Sequence, residues 1–104
     1  MQIERKNVYY YGLSEELFQQ IQYFANKYKI QKIILFGSRA RGDFYKTSDI
    51  DLAIIGGDFV NFSLDVDELT DTLLKYDFVN LDKPVQQELK ESIEQEGVIL
   101  YEKI

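Results

Sequence analysis

The sequence predicts a small α/β domain (α+β in its detail) in which a mixed β-sheet carries helices packed mainly on one face. Short apolar segments typical of strands alternate along the chain with segments of helical periodicity. The chain has 104 residues, which is enough for one domain with a modest core. Because no repeat, low-complexity segment or linker interrupts it, we expect residues 1–104 to form a single domain.

The first helix is predicted over residues 14–28. Ser14 is a suitable N-cap, since its hydroxyl accepts a hydrogen bond from an amide of the first turn. Residues 1–12 include three consecutive tyrosines and are expected to form a short strand or a packed tail; contact with a partner is the alternative, since tyrosine is enriched at interfaces. Apolar side chains of the helix recur at helical spacing and form one face, made of Leu17, Ile21, Phe24, Ala25 and Tyr28.

Two buried strands flank a polar loop in the middle of the chain. Residues 30–36 and 49–55 are predominantly apolar and predict strands, the second of which is closed by a pair of glycines. Residues 37–48 between them predict a turn and a polar loop, with one short helical turn after Gly37.

The second half of the chain predicts further helices and strands. The leucines of residues 64–75 favour a helix, and residues 76–81 are rich in β-favouring side chains. Another helix is expected from Pro84 to Glu96, because proline is tolerated in a first turn. Residues 98–101 are expected to form a short terminal strand.

Two residues are expected to bound this last helix. Asp82 precedes it and is a suitable cap, and Gly97 follows it as a natural stop.

The composition excludes several kinds of function. With 12 basic and 18 acidic residues the net charge is −6, so no direct nucleic-acid binding is expected, because phosphates require clustered cations. The absence of histidine excludes histidine metal sites and general bases, and the absence of cysteine excludes disulfides and thiolate sites. No apolar stretch is long enough for a membrane span and no signal core follows the charged N-terminus, so no membrane association and a cytoplasmic location are expected.

The most specific motif joins Gly37-Ser38 to Asp49-Ile50-Asp51 through ten intervening residues. Glycine lets the backbone approach a phosphate closely, and the amides of a turn that leads into a helix bind anions. Ser38 adds a hydroxyl donor with little bulk. Either half alone would be an ordinary turn or a pair of solvated acids, but two adjacent strands would bring the halves together.

The two aspartates of this motif predict a metal site. Residues i and i+2 of a strand point to the same face, so Asp49 and Asp51 project side by side while Ile50 turns to the core. Carboxylates this close repel each other unless a cation lies between them. Oxygen ligands of this kind suit Mg²⁺, with Mn²⁺ as the alternative.

The sequence GSRARG followed by SDIDLAI resembles the signature of the polymerase-β-like nucleotidyltransferase superfamily, and in particular its smallest members, the minimal nucleotidyltransferases. The resemblance covers nearly the whole chain, and its central motif lies within residues 36–55. It implies the catalytic core of that superfamily, without a separate acceptor-binding domain. ATP is then the expected substrate, held with two Mg²⁺ ions.

The resemblance also implies a third carboxylate on a neighbouring strand, as a metal ligand and as acceptor of the proton of an attacking hydroxyl. Asp77 is the best match, because it opens a strand directly after a helix, and Asp82 at the other end of that strand is the alternative. Arg39 and Arg41 flank the Gly-Ser turn, and a guanidinium matches phosphate geometry. The expected metal ligands and catalytic residues are Asp49, Asp51 and Asp77, and the expected nucleotide contacts are Gly37, Ser38, Arg39 and Arg41.

Minimal nucleotidyltransferases are typically paired, as antitoxins, with a HEPN-domain ribonuclease toxin, and they adenylylate a tyrosine of that toxin. The resemblance therefore implies an AMP-transferring antitoxin whose partner is a HEPN-type toxin. Two alternatives remain open. One is a non-catalytic nucleotide- or toxin-binding module that masks its partner, since a net charge of −6 would complement a basic protein. The other is the catalytic subunit of a small-molecule nucleotidyltransferase heteromer.

Overall fold

A four-stranded mixed β-sheet with four helices makes up the part of the protein, residues 11–104, that the computed structural model describes. The predicted fold class is confirmed. None of the described helices is long and apolar enough to cross a membrane. In chain order the elements are α1 (Glu15–Lys27), β1 (Lys32–Phe36), α2 (Gly37–Arg41), β2 (Ile50–Ile55), α3 (Phe59–Leu69), β3 (Tyr76–Asn80), α4 (Gln87–Glu96) and β4 (Val98–Glu102).

The strand order of the sheet is β3-β2-β1-β4. Strand β1 runs antiparallel to β2 and β4, whereas β2 and β3 are parallel. A parallel pair requires a crossover connection, and α3 lies in the connection between β2 and β3. Since β1 and β2 are antiparallel neighbours, the end of β1 and the start of β2 lie at the same end of the sheet.

Side-chain alternation gives the sheet two apolar faces. Ile33 and Leu35 of β1 belong to the larger core, into which α1 and α3 pack. Ile34 and Phe36 point to the opposite face, where they pack with Ile93 of α4. Helices α1 and α3 thus share one face, as expected, and α4 lies on the other.

Helix α1 begins where the sequence predicts. The Leu17 amide donates a hydrogen bond to the Ser14 hydroxyl oxygen at 3.1 Å, which confirms the N-cap. The predicted stop of the last helix is also confirmed, because Gly97 is the C-cap of α4 and its amide donates to the Ile93 carbonyl. The short terminal strand then follows as β4.

Helix α3 corrects the sequence prediction, which placed a helix over residues 64–75. The helix starts five residues earlier, because Asp58 caps it: the Asn61 amide donates to the Asp58 carboxylate at 3.2 Å. It ends at Leu69, where Thr70 adopts an extended conformation. The leucines beyond that point suggested continued helical periodicity, but they lie in the connection to β3.

The start of α4 is a second correction. The helix begins at Gln87 rather than Pro84, with Gln86 as its N-cap. Asp82 does not cap it; its carboxylate accepts a hydrogen bond from the Gly56 amide at 2.8 Å. Asp82 therefore ties the end of β3 to the turn after β2.

Most of the predicted tail over residues 1–12 lies outside the described residues. Tyr11, at the start of the described part, is buried in the larger core.

Candidate active site

Three neighbouring strands bring the motif residues together at one end of the sheet. Asp51 on β2 pairs in register with Phe36 at the end of β1 and, on its other side, with Asp77 on β3. Gly37 follows Phe36 directly and begins α2. The Gly-Ser turn therefore lies on one side of Asp51 and the Asp77 carboxylate on the other.

Gly37 touches the central carboxylate with its backbone. Its φ is +74°, and a Cβ atom built on it would lie 2.1 Å from Asp51 Oδ2. Only glycine avoids both the strained dihedral and this collision. Ser38 follows in the first turn of α2 and is half-buried. Its carbonyl accepts the Gly42 amide at 2.9 Å and the Asp43 amide at 3.1 Å, which closes the short helix.

The carboxylate of Asp51 is half-buried, whereas Asp49 and Asp77 are exposed. The pKa of Asp51 is raised from 3.8 to about 6, first by burial and then by the charges of Asp77 and Asp49, while Arg41 and Arg39 oppose the shift. Asp51 is thus held in the negative field of its two neighbours. Ile50, between the two acids of the motif, is fully buried, as the strand alternation predicts.

These carboxylates fit a divalent cation whose coordination is completed by a substrate. Within residues 11–104, no three carboxylates converge closely enough to form a ready-made protein cage for a metal ion. Mg²⁺ does not require such a cage, since it is usually held by one or two carboxylates, substrate phosphates and water. The raised pKa of Asp51 supports the fit, because a cation would compensate the repulsion that now favours its protonated form.

Register separates the two options for a third carboxylate. Asp77 lies directly beside Asp51, whereas Asp82 is beyond the far end of β3. Five residues of strand correspond to about 16 Å. The Asp82 carboxylate is also engaged by the Gly56 amide. Among the two, Asp77 is the residue that the fold places at the site.

Arg39 takes a different place from the one expected. Its side chain is 1% exposed, and its guanidinium donates to backbone carbonyls of Tyr11 at 3.0 Å, Gly12 at 3.3 Å, Lys46 at 3.3 Å and Ser48 at 2.9 Å. A guanidinium so occupied has no donor directed at solvent for a triphosphate. The expected nucleotide contact is therefore corrected: Arg39 ties the loop before β2 to the segment that precedes α1.

Arg41 remains at the surface. Its Nε lies 3.2 Å from Asp43 Oδ2 and 3.6 Å from Glu96 Oε2. Its positive charge also acts on Asp51, whose pKa it lowers. Arg41 is thus the exposed arginine near the carboxylates, and its contact with a phosphate stays a prediction.

A cavity lies away from this site. It has a volume of about 400 Å³ and is lined by residues of β1, β2 and α4, including Ile55. Ile55 is four residues beyond Asp51 on the same strand, which corresponds to about 13 Å. The cavity therefore lies at the opposite end of the sheet from the carboxylates.

Sequence reasoning missed the carbonyl cluster that holds Arg39. Its members come from the start of the described chain and from the loop before β2, separated from Arg39 by 28 and 9 positions. Backbone carbonyls carry no residue-specific signal, so no pattern in the sequence could have identified them.

The polymerase-β nucleotidyltransferase family model matches residues 19–104 of this chain. A Methanocaldococcus jannaschii protein, provisionally named protein adenylyltransferase MJ0604, is 39% identical over 82 residues, which span 70% of this chain and 80% of that protein.

Solved structures show the same fold at lower sequence identity. A crystal structure of a toxin–antitoxin with AMP-PNP matches with a TM-score of 0.66 and 23% identity, covering 83% of this chain and 73% of that one. A mutant of the toxin–antitoxin MntA-HpeT matches with a TM-score of 0.65 and 21% identity, over the same shares of the two chains.

Proposed function

Because this chain belongs to the polymerase-β nucleotidyltransferase family, we propose that it transfers AMP from ATP to a hydroxyl of a partner protein. The expected acceptor is a tyrosine of a HEPN-type toxin, and the chain then acts as the antitoxin. The observation that carries the proposal is the convergence of the Gly37 turn, Asp51 and Asp77 at one end of the sheet. The names of the similar proteins support the choice of AMP and of a protein acceptor.

The proposal assigns the phosphates and the metal ions to different residues of this site. Ser38 and the other residues of the first turn of α2 would donate to phosphate oxygens, and Gly37 would let the nucleotide approach the backbone. Asp49, Asp51 and Asp77 would hold two Mg²⁺ ions, with Mn²⁺ as the alternative. Bound there, the ions would neutralise the phosphates and the charge that develops on the attacking and leaving oxygens.

The proposed reaction exchanges one P–O bond for another. The acceptor hydroxyl oxygen attacks the α-phosphorus of ATP, a new P–O bond forms, and the bond to the departing pyrophosphate breaks. The hydroxyl proton passes to the carboxylate of Asp77, which is exposed beside Asp51. Arg41 lies near enough to the carboxylates to offset negative charge during the exchange.

The test uses the purified chain as bait in lysate of its own cells with Mg-ATP, followed by intact mass measurement of every captured protein. Wild type is compared with an Asp49→Asn/Asp51→Asn double variant. A partner that gains one or more AMP masses with wild type alone is the expected result. The matched control, Glu16→Gln/Glu88→Gln, removes two charges at exposed helix positions and should transfer AMP like wild type.

A second outcome would replace the proposal. If wild type and the double aspartate variant capture the same partner equally and neither adds mass, the chain masks its partner instead of modifying it. The net charge of −6 is the observation that favours this second function, because it complements a basic protein.

A further inference from the structure

Helix α3 and the connection from it to β3 carry most of the large apolar side chains that the described residues expose. We call this region, together with β3, the α3–β3 surface. Its exposed members are Val60 at 63%, Leu64 at 52%, Leu69 at 59% and Leu73 at 104%. Single exposed apolar residues are ordinary, whereas several on one helix and the connection that follows it indicate an interaction site.

A shallow groove of about 210 Å³ lies on this surface between α3 and β3. Leu64 and Asp67 line it from the helix, and Tyr76 and Phe78 line it from the strand. The two aromatic rings are stacked with their centroids 5.3 Å apart, and both residues remain half-exposed. The groove therefore offers a preformed apolar floor with a carboxylate at its rim.

The α3–β3 surface and the candidate active site meet at strand β3, on its two opposite faces. Among the strands of residues 11–104, β3 has β2 as its only neighbour, so it is an edge strand of the described sheet. Tyr76 and Phe78 point to the groove, and by strand alternation Asp77 between them points to the opposite face, beside Asp51. A segment that docks along this edge would contact Tyr76 and Phe78, which are the immediate neighbours in sequence of Asp77, the proposed proton acceptor. The outer backbone groups of an edge strand are also available for pairing with an incoming segment.

The charge of this region specifies the kind of partner. Residues 58–82 contain seven acidic residues and one basic residue, Lys75. Asp67 and Glu68 are exposed on α3, and neither makes an ion pair with another described residue. A symmetric contact with a second copy would place this negative surface against itself, which is unfavourable. A positively charged partner has no such cost.

We propose that the α3–β3 surface docks a basic, apolar segment of the acceptor protein and thereby delivers the acceptor hydroxyl to Asp77. This inference rests on the proposed AMP transfer. The apolar side chains of the segment fill the groove beside Leu64 and Phe78, and its lysines or arginines face Asp67 and Glu68. Docking outside the catalytic residues gives the enzyme selectivity for one protein hydroxyl over the many that cells contain.

The first test measures steady-state AMP transfer to the acceptor that the mass experiment identifies. The double variant Leu64→Asp/Leu73→Asp should raise the KM for the acceptor by at least about tenfold, because it places charge in the apolar contact. Its kcat and its affinity for Mg-ATP should stay unchanged. The control Tyr23→Asp/Ile104→Asp alters two side chains that are equally exposed but lie outside the surface, and its KM should stay near that of wild type.

A second surface variant with its own control keeps the inference testable if Leu64→Asp/Leu73→Asp fails to fold. Asp67→Lys/Glu68→Lys reverses two exposed charges of the surface, and Glu16→Lys/Glu88→Lys reverses two exposed charges elsewhere. Asp67→Lys/Glu68→Lys should raise the KM for the acceptor and make that KM less dependent on salt concentration. Glu16→Lys/Glu88→Lys should change neither. An acceptor KM that stays at the wild-type value in both surface variants would overturn the docking inference and leave the proposed function standing.

The occupant is identified by a photo-crosslinking side chain at position 73, with position 104 as the control. The expected product joins position 73 to a net basic peptide of the protein that gains AMP. A crosslink to a second copy of this chain would overturn the inference. If wild type binds Mg-ATP and no protein gains AMP, the proposed function fails, and the docking inference fails with it.

Discussion

At the scale of single residues, Asp51 and Arg39 are two charged side chains that the fold shields from solvent but that differ in their partners. Asp51 is half-buried among other carboxylates, so its charge is costly in the absence of a cation. Arg39 is buried too, but its donors are satisfied by backbone carbonyls, and burial is what lowers its pKa. The carboxylate is therefore available for a ligand, whereas the guanidinium is committed to the fold.

Replacing Asp51 should stabilise the metal-free protein. The pKa of Asp51 is raised from 3.8 to about 6, so the folded state retains a proton that the unfolded chain releases, and stability is lost as the pH rises between these values. Asp51→Asn removes this loss. The full shift would be worth about 3 kcal/mol, which solvent screening of a half-buried group reduces to about 1 kcal/mol.

Urea unfolding in EDTA at several pH values measures this effect. The advantage of Asp51→Asn should be absent near pH 4, grow up to pH 6 and stay constant above it, as the sign of the shift requires. An advantage that is independent of pH would show that the carboxylate charge is not its cause.

Replacing Arg39 should damage the fold. Arg39→Met keeps most of the volume but removes the donors to backbone carbonyls inside the fold, including those of Lys46 and Ser48. We expect a loss of about 3 kcal/mol in the free energy of unfolding, since each unsatisfied group costs about 1 kcal/mol or more. Chemical denaturation measures it. The exposed ion pairs of Arg41 are worth little, so Arg41→Met should destabilise the fold far less than Arg39→Met.

At the scale of elements, the junction of β1 and α2 is the most constrained connection of the site. Gly37 reverses the chain at a positive φ and at the same time makes room for the Asp51 carboxylate. The short helix that follows is closed by Gly42, whose φ of +91° is typical of a helix C-cap. Both glycines need the left-handed conformation, but only the first is crowded.

This difference makes a controlled experiment. Gly42→Ala meets nothing within 4 Å, so it should cost about 1 kcal/mol of stability from its dihedral alone and leave ATP affinity unchanged. Gly37→Ala has the same dihedral cost and also displaces Asp51. Its affinity for Mg-ATP should fall by at least about tenfold. Calorimetric titration compares the two, and equal affinities would show that the close approach at Gly37 has no part in nucleotide binding.

At the scale of the whole molecule, the strand order places the Gly37-Ser38 turn, Asp51 and Asp77 side by side. Because β1, β2 and β3 are adjacent, residues from positions 37, 51 and 77 meet at one end of the sheet. The acidic α3–β3 surface begins at the outermost of these strands. The fold thus links the candidate active site to the face that we propose for the partner.

Metal binding should be detectable as stability of the whole protein. A cation that binds only the folded state raises the melting temperature with its concentration. Millimolar Mg²⁺ at pH 7.5 should therefore stabilise wild type in calorimetry, and EDTA should reverse the gain. The Asp49→Asn/Asp51→Asn variant should show no such dependence on Mg²⁺, while an equal response in both proteins would place the cation elsewhere.

The sequence by itself determined the residue types, their spacing and most of the element order. Glycine beside serine, and aspartates two apart in a strand, are local patterns whose geometry follows from backbone dihedrals and strand alternation. For the same reason the cap of α1 at Ser14 and the stop at Gly97 were predictable.

Only the tertiary structure decided which partners these residues meet. Sheet register, a contact between distant segments, placed Asp77 rather than Asp82 beside Asp51. Arg39, which the sequence suggested as a phosphate ligand, is buried and donates hydrogen bonds to backbone carbonyls of distant segments. Neither depends on neighbours in the sequence, because hydrogen bonding and burial are properties of the packed chain. The exposure of Leu73 on the α3–β3 surface likewise depends on the tertiary structure, in which α3 ends at Leu69 and leaves Leu73 in the connection to β3.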